Sequence, residues 1–177
     1  MNETELIRGQ LSSERARVVA VVNACAKAAA RADSAASGGE ASPGAFAAAC
    51  TDYLHAALGA FAERDRRLAA LCTRLPAGSR ERRALEALLA APGTSTAALE
   101  QLAAVSDAPR RGWRELAHYV AGAWNARRDA IEALLGAHYG TRDWRAVGAL
   151  DAEAILGERA RFAQLRTLLP ADLELAP

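Results

Sequence analysis

Apolar residues along this chain recur alternately at three and four positions over four long stretches, the period of a helix with one buried face. The first stretch sets Ile7, Leu11, Glu14, Val18, Val21, Cys25, Ala28 and Ala32 on one stripe, and the second sets Cys50, Tyr53, Ala57, Phe61, Arg64, Leu68, Leu71 and Leu75. The third carries Trp113, Val120, Trp124, Arg127, Ile131, Leu134 and His138. The fourth carries Trp144, Gly148, Asp151, Ile155, Glu158, Phe162, Leu165 and Leu169. Each stripe is apolar except for one or two charges near its middle.

Punctuation between the stripes sets the element boundaries. Asn2 followed by Glu5 is a capping box that opens the first helix, which runs to the stop at Ser37-Gly38-Gly39. Ser42-Pro43 opens the second, which ends near Leu75 before Pro76-Ala77-Gly78. Residues 76 to 106 hold two short helices, one after Ser79 and one after Thr94, divided by Pro92-Gly93. The third long helix opens near Ser106 to Pro109 and stops at Gly140. The fourth runs from Thr141 to Leu169, with a break at Gly148 where Asp151 restarts it as a cap. The expected fold is all-α, one domain over residues 1–177, built as a bundle of four long helices. The two short helices would form a crossover between the second and third, a ferritin-like connection in preference to up-down-up-down, because a bundle of this length needs no thirty-residue link unless the link crosses it.

Composition agrees with helix and narrows the function. Aromatics are 5% of residues, and alanine and leucine dominate, a usage that favours helix over strand. Formal net charge is +1, too small to steer the whole molecule onto nucleic acid or an anionic membrane. The arginine groups Arg80, Arg82, Arg83 and Arg110, Arg111, Arg114 sit among acids and read as solvated helix surface. No run of about 18 uncharged apolar residues exists to span a membrane, and the acidic Glu3 and Glu5 do not suit a signal peptide. Three scattered cysteines, Cys25, Cys50 and Cys72, read as buried thiols of a cytoplasmic protein.

Candidate chemistry lies in the charges on the stripes. An unpartnered buried charge costs several kcal/mol, so Glu14, Arg64, Arg127, Asp151 and Glu158 are expected to pair or to face a hydrated site. Folding the first two helices together sets Glu14 level with Arg64. Folding the last two places Arg127 between Asp151 and Glu158. If these residues hold a ligand, it is a small anion gripped by the arginines, with Tyr53, Trp113 and Trp124 as walls. The acid-x-x-His pairs Asp52/His55 and Glu115/His118 match the ligand types of carboxylate di-metal bundles, and in helix number the chain resembles ferritin-like and hemerythrin-like bundles. All four residues fall on outer faces, together with Gly59 and Gly122, so neither a metal nor another cofactor is expected. Two readings follow: a non-enzymatic interaction or scaffold protein, self-associating or with a protein partner, in which the charges fix helix register; or a binding protein or enzyme that uses the interior cluster on a small anionic ligand.

Overall fold

A computed structural model describes residues 2–31, 43–148 and 152–175, whose regular structure is all helical with no strand among them. The helices are α1 (Glu3–Arg31), α2 (Pro43–Thr73), α3 (Arg80–Ala90), α4 (Ser95–Ala103), α5 (Pro109–Tyr119), α6 (Asn125–His138), α7 (Thr141–Gly148) and α8 (Ala152–Thr167). A π-turn, Val120–Trp124, joins α5 to α6 without interruption, so residues 109–138 form one rod. No helix among the described residues is long and apolar enough to cross a membrane.

Local chemistry accounts for the ends. At α1 the capping box is complete: the Glu5 amide donates to Asn2 Oδ1 at 2.9 Å, and the Asn2 amide donates to Glu5 Oε2 at 2.8 Å. Ser79 and Thr94 accept from the amides of Arg82 and Ala97 at the starts of α3 and α4. Pro109 occupies the first turn of α5, where its missing N–H costs nothing. The fourth predicted rod is two helices, α7 and α8, parted after Gly148. The stop at 37–39, the Ser42 cap and the Asp151 cap all lie outside the described residues, as does Ala32.

Burial follows the predicted stripes on α1 and α2 and departs from them on the third rod. Val120, Trp124, Arg127 and Ile131 are buried as expected, but Leu135 and Arg128 are buried where Leu134 and His138 were expected, and His138 is exposed. Leu134 and Leu135 stand three and four residues after Ile131 on nearly the same face, and the core is met at the four-residue step. The turn between α3 and α4 rests at the π-turn. Gly93 there has φ of 91°, and a Cβ added to it would lie 2.1 Å from the Ala123 carbonyl oxygen. Only glycine fits both the backbone conformation and the contact.

The apolar interior is in two parts. One cluster gathers Val18 to Cys25, Phe46 to Phe61, Trp113 to Trp124 and Phe162 to Leu175; the other gathers Ile7, Leu11, Leu68 to Cys72, Ile131, Leu135, Trp144 and Val147. On each long rod charged side chains lie between the two clusters: Glu14 and Arg17 on α1, Arg64 and the half-buried Asp65 on α2, Arg127 and Arg128 on α6. A polar layer therefore divides the core.

The glycines give a direct check on this packing. Gly93→Ala is expected to cost at least about 2 kcal/mol. Gly59→Ala, mid-helix with open space around it, is expected to gain about 0.5–1 kcal/mol. Chemical denaturation of the two variants measures both; equal effects would contradict the close approach at Ala123.

Candidate functional site

Two interior ion pairs and a cavity make up the site. Glu14 and Arg64 meet across α1 and α2, with Arg64 Nη1 2.6 Å from Glu14 Oε2. That contact is electrostatic, since the N–H does not point along it and Nη1 has no aligned acceptor. Gln10 Nε2 donates to the other Glu14 oxygen at 2.9 Å, and Arg64 Nε donates to the Gly148 carbonyl at 3.1 Å, where α7 ends. The Arg64 guanidinium also lies 4.8 Å from the centre of the Phe61 ring.

Glu158, on α8, is held from two sides. Arg17 donates to it bidentately at 2.8 and 2.6 Å, and the Tyr53 hydroxyl donates at 2.5 Å. Burial disfavours the charge of Arg17, but the Glu158 carboxylate outweighs it and the pKa lies above the ordinary arginine value. Burial, and then the bond to Glu158, raise the Tyr53 phenol above its ordinary value.

Between α2 and α8 a cavity of about 140 Å³ opens onto these groups. Glu14, Tyr53, Arg64 and Glu158 line it. Its apolar wall comes from Phe61, Ile155 and the small residues Ala56, Ala57, Ala60 and Ala154, whose short side chains leave the space. Arg161 also borders it. That residue is exposed and has no hydrogen-bond or ion-pair partner among the described residues.

Four of the eight residues singled out in the sequence are thus brought together, and three of the other four are placed elsewhere. Arg127 is buried but meets no carboxylate among the described residues: Nη1 donates to the carbonyls of Leu88 and Ala91 at 2.5 and 2.6 Å, closing the C-terminal end of α3. The free carbonyls of a helix end carry partial negative charge and take the place of a carboxylate. Trp124 packs edge-on against Phe61 at 5.1 Å and donates through Nε1 to Ser95 Oγ at 3.0 Å, and Trp113 is buried in the same apolar cluster; neither lines the cavity. Asp151 lies outside the described residues.

Sequence reasoning missed Arg17, Arg128, Asp65 and Arg161. Arg17 and Arg128 adjoin stripe residues, at the flank where a long side chain turns inward. Arg128 pairs with Asp65, whose second oxygen accepts the Ser95 amide at 3.2 Å, and burial holds the Arg128 pKa below the ordinary value despite that partner. Asp52, His55, Glu115 and His118 are exposed, and no group of three or more metal-ligating side chains among the described residues is placed to hold an ion. Arg82 and Arg111 pair with Glu86 and Glu115 one helical turn on, along solvated faces.

No protein-family model, no curated protein and no solved structure matches this chain.

The Tyr53 phenol provides a titration test. Its folded pKa is raised above the unfolded value near 10, so the stabilisation it contributes is complete below about pH 10 and is lost as pH rises further. Phenolate absorbance of the parent minus that of Tyr53→Phe should stay flat in the folded protein and rise only with unfolding, followed by circular dichroism. A difference signal near pH 10 with the helices intact would contradict the buried bond to Glu158.

Proposed function

We propose that this chain is a non-enzymatic helical-bundle protein that holds a small molecule in the cavity between α2 and α8. The observation that carries this reading is the meeting of Glu14, Tyr53, Arg64 and Glu158 on one cavity wall. Cavities of about 150 Å³ in other proteins take a ligand the size of benzene, so a void of about 140 Å³ has room for an occupant of that size. Binding is favoured over catalysis because both carboxylates are already tied to arginines and the phenol is moved away from neutral pH, which leaves no acid or base poised for proton transfer.

The same reading takes the four rods as one bundle with residues 74–108 as the crossover. Pairing order supports this. Ile7 and Leu11 share a cluster with Ile131 and Leu135, while Val18 to Cys25 share one with Trp113 to Trp124, so numbers fall on the third rod as they rise along α1. Along α2 they fall as well, since Glu14 meets Arg64 and Cys25 meets Cys50. Two rods that both oppose α1 run in the same direction, and a chain leaving one must travel the bundle's length to begin the other.

An interaction or scaffold role remains as the rival, favoured by the closure of both ion pairs, which would serve register alone. A thermal-shift screen of small fragments against the parent and Ala56→Leu separates the two. Ala56 is a half-buried wall residue, and the larger side chain of leucine there would take up cavity space. Binding predicts fragments that raise the parent's Tm by about 2 °C or more and leave the variant unchanged. Identical responses of the two proteins would leave the charges as register pairs and favour the scaffold.

A further inference from the structure

The charge balance of the cavity wall names a ligand class. Resting on the cavity reading above, we infer that the occupant is a small carboxylate with an apolar body, and that Arg161 is the residue that grips its carboxyl group.

The two glutamates on the wall do not call for a cation. Glu158 accepts two N–H bonds from Arg17 and one O–H bond from Tyr53, and Glu14 accepts from Gln10 and faces Arg64 at 2.6 Å. Both negative charges are matched from within the protein. Arg161 is not. It borders the same cavity, lacks any partner among the described residues, and is exposed, so it stands where the cavity meets solvent. With Arg17 behind Glu158, three arginines face two glutamates, and one positive charge is left over. A monoanion balances it.

The rest of the wall sets the body of the ligand. Phe61, Ile155 and the alanines of α2 and α8 offer carbon surface with no free donor or acceptor, which suits a ring or a short branched chain. Volume limits that body to about the size of benzene. A carboxylate at the mouth keeps part of its hydration while it pairs with the planar fork of the guanidinium, so its desolvation cost is small beside that of a buried charge. The ligand therefore lies with its carbon end against Phe61 and its charged end at Arg161.

Titrations with benzoate, cyclohexanecarboxylate and butanoate, each beside its neutral alcohol, test the inference by ligand-observed NMR on the parent, Arg161→Gln and Ala56→Leu. The expected result is that at least one ring carboxylate binds the parent about tenfold or more tighter than its alcohol, a single charge-assisted contact of about 1.4 kcal/mol. Arg161→Gln should reduce the acid to the level of the alcohol without changing the alcohol's affinity. Ala56→Leu should abolish both. Equal binding of acid and alcohol, unchanged in Arg161→Gln but lost in Ala56→Leu, would overturn the carboxylate assignment and leave the cavity reading standing. Binding of no probe to the parent, or binding that survives Ala56→Leu, would overturn both.

Discussion

A charge set between packed helices must meet an opposite charge there, and this requirement organises the interior. On α1, α2 and α6 the charged residues fall at the same level, between two apolar clusters, and each match joins a different pair of helices. Glu14 with Arg64 ties α1 to α2, Arg17 with Glu158 ties α1 to α8, Asp65 with Arg128 ties α2 to α6, and Arg127 ties α6 to the end of α3. An apolar face tolerates sliding by a turn at modest cost, but a slide of one turn here would break several matches at once. The layer thus specifies register more than it adds stability.

The cavity is a consequence of that layer. α8 buries only Phe162 and Leu165 among its apolar side chains, and its central contact is the Glu158 carboxylate. Alanines face it from α2, so the helix is held by its charge and its two large residues while the space between them stays open. The same geometry that satisfies Glu158 also presents Tyr53 and Arg64 to that space. A structural need and the lining of the cavity are met by one set of side chains.

Much of this was legible from periodicity and caps. The capping box at Asn2 and Glu5, the short helices after Ser79 and Thr94, and the level pairing of Glu14 with Arg64 follow from spacing alone. What spacing could not supply was the π-turn within the third rod, or the choice of Leu135 over its neighbour Leu134 for the core. Nor could it anticipate that Arg127 would find carbonyls in place of a carboxylate, because a helix end offers charge without a charged residue. Arg17 was hidden for a different reason: its Cα sits at the flank of the stripe and only the length of its side chain carries it to Glu158. Tryptophans on a stripe are more often core than ligand wall, and Trp113 and Trp124 are core here.

The claim that the interior charges act as matched pairs is tested most directly by a double-variant cycle at Glu14 and Arg64, with stability measured by urea denaturation. Glu14→Leu and Arg64→Met, each alone, strand a buried charge and should each lose about 3–5 kcal/mol. The two together remove both charges and leave apolar groups of similar size, so the double variant should recover most of that loss and lie within about 1–2 kcal/mol of the parent. A double variant whose loss equals the sum of the two single losses would contradict the pairing and, with it, the account of the layer.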